Sequence, residues 1–334
     1  MAFNINILSQ APDDGTSFYR AWGPFADVRK IRGVEISEER QINWRTLRQF
    51  DLLYMQRPQS EAHIKIMETA KMSGVPVWVD YDDDLLNLPH YHFLYHSISQ
   101  DVNTISRIIQ MADILTVSTE GLKMNWEHLR KDIIIIENYI PLSLPLAKRR
   151  PFADSFKIIW RGSRTHDTDW LYALPEFKQF LSEHPGIELI LCGEPPAQLH
   201  QELEGLCTIT TQPVREILDM FRYFGIAPAH IGFIPLSPHR FNEAKSNIAW
   251  QEFLTGGMLS VVPNGWLPKR PSNYYDQLTQ LYDLWHNNPS GIDDMLAHER
   301  ERMQYQKLSA LKAREMLINR IMYPKGKRLL QLFK

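Results

Sequence analysis

The chain has 334 residues, of which 44% are hydrophobic and 23% charged, and a formal net charge of -2 at pH 7. This composition is that of an ordinary globular protein, and the length suits two domains of roughly 150 residues each rather than one core. Near-neutral charge excludes a surface coated in basic residues for tight non-specific nucleic-acid binding, and the two cysteines, Cys192 and Cys207, are too few for a disulfide framework or a four-cysteine zinc site.

The first residues, MAFNINILSQ, carry no basic region followed by a long apolar run, and no apolar stretch nears the roughly 18 residues that span a bilayer. A cytoplasmic, soluble protein is the expectation. Short apolar runs then alternate with helical patterns, the signature of parallel α/β architecture. Strands are predicted over 5–9, 27–36, 51–58, 75–81, 112–118 and 132–138. Helical periodicity is clearest at Glu61–Met72 and Asp101–Met111. Asn138–Phe156 breaks the alternation with three prolines and the basic cluster Lys148, Arg149 and Arg150. Strands resume at 157–160, 187–192, 207–211, 230–236 and 258–263, and from Ser272 the pattern is helical. The division is 1–141, a linker 142–154, a second domain 155–300, and a helical tail 301–334 expected to pack back on the first domain. The fold class is two Rossmann-like, doubly wound domains facing a cleft, where strand carboxyl ends bind ligands.

Candidate chemistry follows in chain order. The loop after the first strand holds Gly15, Thr16, Ser17, Tyr19 and Arg20, although a plain strand-turn-helix connection also explains Gly15. Next, Arg29, Lys30, Arg32, Arg40, Arg45 and Arg48 interleave with Trp22, Phe25 and Trp44, a pattern that suits nucleic acid. Asp27, Glu35, Glu38 and Glu39 dilute it toward an ordinary charged surface. Asp80, Asp82, Asp83 and Asp84 close a β-run, with His90, His92 and His96 just beyond. They could orient an acceptor hydroxyl, bind a divalent cation, or form an acidic turn.

In the second half, a strand leads into Arg161, Gly162 and Ser163, where glycine admits a close ligand and Arg161 and Arg164 suit diphosphate oxygens. Gly193 and Glu194 end the next strand and could border a base pocket or make a simple turn. The stretch Phe241–Gly265 sets Asn242, Lys245, Ser246 and Asn247 before a helix that contains Glu252. A helix N-terminus beside a lysine suits phosphate, and a carboxylate can take two ribose hydroxyls. Seven residues make about two turns, so Lys245 and Glu252 would share a face if the helix reached back to Lys245. A capped surface helix with a solvated glutamate is the plainer reading.

The order WRGSRTH, LILCGE and HIGFIPLSPHRFNEAKSNIAWQEFLTGGMLSVVP resembles the donor half of GT-B glycosyltransferases, especially retaining ones that use nucleotide sugars. The resemblance implies that Arg161 and Lys245 contact the diphosphate of a UDP- or GDP-sugar and that Glu252 holds the ribose. It also implies transfer to an acceptor hydroxyl without a required metal, and it turns the Gly15–Thr16 loop toward the donor phosphates. The family often has a second glutamate eight positions before the first, where this chain has Ala244, with Glu243 adjacent. The compact form also looks like bacteriophage enzymes that glycosylate hydroxymethylated pyrimidines in double-stranded DNA. The acceptor expectation is therefore such DNA, or else a polysaccharide, lipid-linked or protein acceptor. A sugar epimerase or phosphorylase, and a non-catalytic nucleotide-binding subunit, are the other readings.

Overall fold

The computed structural model describes residues 3–9, 14–32, 34–40, 42–141, 143–151 and 155–322. These fall in two compact units. The first holds the described residues up to Ser143, Glu243–Ser246 and those from Tyr305 onward; the second holds Leu144–Asn242 and Asn247–Gln304. Parts of the linker (142 and 152–154) and of the tail (323–334) lie outside the described residues.

In the first unit β1 (Asn4–Leu8), β2 (Glu35–Ser37), β3 (Leu52–Gln56), β4 (Val77–Tyr81), β5 (Ile114–Val117) and β6 (Ile134–Ile135) form one parallel sheet. Its order is β2-β1-β3-β4-β5-β6. Every residue of β3 and β4 is buried, which is why both read as continuous apolar runs rather than alternating ones. The expected strand over 27–36 is a correction. Residues Gly23–Arg32 form a helix, α1, and only Glu35–Ser37 pair as a strand. Ala21, Phe25 and Val28 are fully buried at helical spacing, so the face they make decides the structure over the β-branched composition of the run.

Helices α2 (Glu61–Ser73), α3 (Val102–Met111) and α4 (Glu120–Trp126) complete the layers. Helix α3 buries Ile105, Ile108 and Ile109, one face at i, i+3 and i+4. The core around Phe25, Tyr54 and Trp78 also takes in Ala310, Leu311, Leu317 and Ile318 from near the end of the chain. Arg314, from the same stretch, is wholly buried, with its guanidinium over the Phe25 ring at 5.8 Å.

In the second unit β7 (Lys157–Gly162), β8 (Glu188–Gly193), β9 (Thr208–Gln212), β10 (Ile231–Phe233) and β11 (Leu259–Val261) form a parallel sheet of order β11-β10-β7-β8-β9. Helices α5 (Asp167–Glu183), α6 (Ile217–Phe224), α7 (Ile248–Thr255), α8 (Tyr274–Asn287) and α9 (Pro289–Met322) follow the same alternation. Helix α5 lays Trp170 and Phe177 against Phe233 of β10. Helix α9 contributes its residues through Gln304 to the second unit and those from Tyr305 to the first. Buried Glu299 of α9 accepts from Trp250 Nε1 at 2.8 Å and Arg270 Nη2 at 2.6 Å, fixing α7 within the second unit.

Candidate functional site

In the second sheet the chain builds outward from β7 through β8 to β9, then returns to the other side of β7 with β10 and β11. The reversal leaves a crevice beyond the carboxyl ends of β7 and β10, the position where open α/β sheets take ligands. Arg161 is the penultimate residue of β7, and its Nε forms an ion pair with Glu252 of α7. Glu252 is almost fully buried, whereas the Arg161 side chain keeps 21% of its surface exposed. The pair therefore offers a cation at the surface and a carboxylate beneath it.

Gly162 and Gly193 face each other at the ends of β7 and β8. A Cβ on Gly193 would stand 2.3 Å from the Gly162 carbonyl oxygen, and Gly193 has φ +106°, a conformation side chains strongly disfavour. Gly193 is thus demanded by the packing of the two strand ends, whereas a Cβ on Gly162 would meet the Trp160 and His166 rings at 2.5 and 2.9 Å. Beyond them Ser163 is exposed and caps the short turn Arg164–His166, its hydroxyl bonded to Thr165 Oγ1 at 2.9 Å. Glu194 is also exposed, and its backbone N–H donates to the Gly162 carbonyl at 3.0 Å. Cys192, paired with Arg161 in the ladder, is a free thiol that burial pushes up to about 12, and the half-buried Cys207 is pushed up to about 11. Both stay protonated at neutral pH.

Asp169, in the first turn of α5, organises the same crevice. Its Oδ1 accepts from Ser237 N and Oγ, both at 2.8 Å, and from Asn242 Nδ2 at 2.7 Å, while its Oδ2 meets His166 Nδ1 at 2.8 Å. Asn242, predicted as a ligand contact, has its amide committed to Asp169 and to the Ser237 carbonyl at 3.0 Å. The structure gives it the task of bracing the loop after β10.

Helix α7 begins at Ile248, so the predicted shared face of Lys245 and Glu252 does not form. Asn247 stands at the N-cap without a side-chain capping bond, and its Oδ1 takes Gln251 Nε2 at 3.2 Å. Lys245 and Ser246 belong instead to the first unit. There Thr119 Oγ1 donates to the Ala244 carbonyl at 2.7 Å, and Asn138 Nδ2 donates to Ser246 Oγ at 2.7 Å.

The first sheet has its own reversal, between β1 and β3. Residues 10–13 of the loop after β1 lie outside the described residues. Asp14 accepts from Ser17 N at 3.0 Å, so Gly15 and Thr16 form a single helical turn, followed by a π-helical turn over Phe18–Trp22. That turn delivers Arg20 to Asp80 through a two-pronged contact at 2.8 and 2.6 Å. Thr116 also donates to Asp80, and both charged residues are completely buried. Arg20 and the other nearby cations hold the Asp80 carboxyl below its ordinary range against the pull of burial. Asp80, expected from the sequence to be catalytic, thus has its oxygens engaged inside the core. Asp84 is spent likewise, on Asn87, on Asn125 Nδ2 at 2.7 Å and on Trp126 Nε1 at 2.7 Å.

Asp82 and Asp83 differ. Both pair with Arg57, the Asp82 contact measuring 2.5 Å. Arg57 itself adopts φ +50°, uncommon for a non-glycine residue. Burial, with Asp83 adding to it, pushes the Asp82 carboxyl up to about 6, while Arg57, Lys245 and His92 hold Asp83 below its usual range. Arg57, His166 and Asp169 were not singled out in the sequence. The signals were present only as a strand-end arginine and a His-x-x-Asp spacing, both common. Among the described residues no group of three or more His, Cys, Asp and Glu is arranged to hold a metal ion. No described helix is long and apolar enough to cross a membrane.

No family model and no curated protein matches the chain. Solved structures do. The α,α-trehalose-phosphate synthase (UDP-forming) of Burkholderia vietnamiensis is similar with a TM-score of 0.57 at 10% identity, over 96% of this chain and 99% of that one. A glycosyltransferase of Rickettsia africae ESF-5 is similar with a TM-score of 0.56 at 9% identity, over 96% and 99%. The lipopolysaccharide outer core galactosyltransferase WaaB follows with 0.55 at 9% identity, over 97% and 100%. Two parallel sheets of six and five strands with flanking helices, matched end to end by such structures, give this chain the GT-B fold.

Proposed function

We propose that the chain is a glycosyltransferase that moves a sugar from a nucleoside-diphosphate sugar to an acceptor hydroxyl, with retention at the anomeric carbon. The observation that carries this reading is the Arg161–Glu252 pair at the reversal of the second sheet. Arg161 can turn its partly exposed guanidinium to the diphosphate and offset the charge that grows as the sugar leaves. Glu252, released from the pair, can accept from two ribose hydroxyls. The glycine-edged strand ends at Gly162 and Gly193 admit the ligand close to backbone, and exposed Ser163 and Glu194 border it. UDP is the first nucleotide to test, because the trehalose-phosphate synthase of the same fold is UDP-forming.

In the first unit Asp83 is the carboxylate suited to orient an acceptor hydroxyl, since its side chain is 29% exposed and is held ionised beside Arg57. A glycan is the favoured acceptor. The basic and aromatic stretch that would have suited DNA is partly neutralised. Arg29 pairs with Glu35 and Arg40 with Glu38, while Arg45 and Arg48 stack on Trp44. Hydroxymethylated DNA is screened beside the glycans.

Calorimetric titration of UDP, GDP and their sugar conjugates into the wild type and Glu252→Ala tests the donor site. Binding of one nucleotide at micromolar concentration, weakened at least tenfold in the variant, is the expected result. Failure of every nucleotide to bind the wild type would sink the assignment.

A further inference from the structure

From Tyr305 onward helix α9 packs one face on the first unit, where Ala310, Leu311, Leu317 and Ile318 join the core and Lys307 and Arg314 are buried beside them. The opposite face is bare. Tyr305, Leu308, Lys312, Met316 and Arg320 follow at intervals of three and four residues, which sets them in one stripe. Tyr305 is 78% exposed, Leu308 61% and Met316 60%, and Lys312 and Arg320 are exposed with them. Single apolar side chains on a surface are ordinary, whereas three along one line of a helix mark a contact surface. None of the five is acidic, and Glu315, the one carboxylate of the helix between 305 and 322, is half-buried beside the stripe.

The stripe runs into a groove of about 560 Å³ at the amino ends of β4, β5 and β6. Its apolar lining is Pro76, Ile114, Ile133, Ile134 and Ile321, and Arg320 belongs both to the groove and to the stripe. The carboxylates of the groove are committed. Asp113 accepts from Val77 N at 2.8 Å and Asp132 from Arg130 Nε at 2.6 Å, which leaves Arg320 as the cation that can turn to an outside anion. Asp82 and Asp83 stand at the other end of the same sheet, just past β4.

A partner for such a surface must offer negative charge and apolar matter together. Nucleic acid would satisfy Lys312 and Arg320 and leave Tyr305, Leu308 and Met316 bare. A second copy laid antiparallel along the stripe would bring Lys312, at its middle, against its own counterpart, and like charges repel. The surface of an anionic bilayer offers headgroup phosphates to the cations and the acyl boundary to the apolar side chains. The sequence that continues from α9, 323–334, adds Lys325, Lys327, Arg328 and Lys334 together with Leu329, Leu330, Leu332 and Phe333, and no acidic residue. That charge is complementary to the same surface.

We propose that the first unit docks on an anionic lipid surface through this stripe of α9, with Arg320 taking a headgroup phosphate at the mouth of the groove. The carboxyl ends of the first sheet, with Asp82 and Asp83, then lie on the side away from the lipid. The docking does not depend on which nucleotide the second unit binds.

Co-sedimentation of the full chain with vesicles of phosphatidylcholine alone, and of phosphatidylcholine and phosphatidylglycerol in equal parts, tests the proposal. Binding to the anionic vesicles roughly tenfold or more tighter than to the neutral ones is expected. Leu308→Ser/Met316→Ser removes apolar contacts and Lys312→Gln/Arg320→Gln removes charge. Each is expected to weaken binding roughly tenfold while melting at the wild-type temperature. A wild type that binds neither vesicle would overturn the proposal, and so would binding that both variants keep, which would put the lipid contact elsewhere in the chain. Loss in the charge variant alone would overturn it as well, since adhesion would then need no apolar stripe. A wild type that sediments as a dimer without lipid, and as a monomer in Leu308→Ser/Met316→Ser, would assign the stripe to a second copy instead.

Discussion

Each unit carries an arginine–carboxylate pair near the carboxyl ends of its sheet, and the two pairs are built to different ends. In the first unit Asp80 receives Arg20 Nε and Nη2 and the Thr116 hydroxyl, while Arg20 Nη1 donates to the Ile136 carbonyl and to Asn138 Oδ1. Neither side chain reaches solvent. In the second unit Glu252 is equally buried, but Arg161 keeps a fifth of its surface open. A pair closed on all sides can only organise the fold. A pair with one open partner can exchange that partner for a ligand, and this distinction separates architecture from candidate chemistry among similar residue types.

The largest effect expected from breaking the comparison is at the closed pair. Arg20→Ala leaves Asp80 charged and buried without its partner, a loss of about 3–5 kcal/mol, measurable by urea unfolding. A variant as stable as wild type would show that the pair does not organise the first unit. At the open pair, Glu252→Gln keeps the shape of the side chain and lets Arg161 turn to water. Its expected cost falls on ligand binding instead, about 1.5–3 kcal/mol or roughly 10- to 150-fold in nucleotide affinity, with a melting temperature near that of wild type.

A smaller effect is expected at the strand ends beside the open pair. Gly193→Ala would force a Cβ against the Gly162 carbonyl at φ +106°, costing about 1–3 kcal/mol. Thermal unfolding reads the loss, and a neutral outcome would mean that the two strand ends separate easily. The smallest effect sharpens the contrast within the first unit. The Asp82 carboxyl titrates near 6 in the fold against an ordinary value of 3.8. Between those values the folded state holds a proton that the unfolded state has released, so this residue lowers stability as pH rises through the window. Asp82→Asn removes the dependence. The variant should therefore gain on wild type, on the order of 1 kcal/mol, when melting is compared at pH 5 and pH 7. No relative gain would place Asp82 among the ordinary carboxylates.

Much of the fold was legible because buried parallel strands are unbroken apolar runs; the expected strands over 51–58 and 75–81 each contain an observed one, and that over 187–192 covers all of β8 but Gly193. The run 27–36 misled because Val28 and Val34 suggest a strand, while the buried face that decides for a helix includes Ala21 and Phe25 from outside the run. Arg161 and Glu252 could be put forward as candidates because a strand end and a helix place them locally. Asp80 could not be told from Asp82 and Asp83, since its partner Arg20 is 60 residues away. The same holds for Asp169, whose contacts to Ser237 and Asn242 span 68 and 73 residues. Patterns of spacing reveal which elements form. They do not reveal which distant side chain fills a buried valence.

The core of the first unit has a consequence for how the protein is made. Phe25, Tyr54 and Trp78 are packed in one cluster with Ala310, Leu311, Leu317 and Ile318, and Arg314 covers Phe25. On a ribosome the strands of this sheet emerge before those of the second unit, and the part of their apolar face that Ala310, Leu311, Leu317 and Ile318 cover stays bare until the second half of α9 is synthesised. At about 5–20 residues per second the interval between Ser143 and Tyr305 lasts roughly 10–30 s. Vectorial folding of the nascent chain is thereby postponed for its earliest sheet, while the second unit, complete at Gln304, can form beforehand. Truncation of the chain after Gln304 is expected to leave the first sheet open to protease and the second resistant, a reversal of the usual order in which the amino-terminal half is secured first.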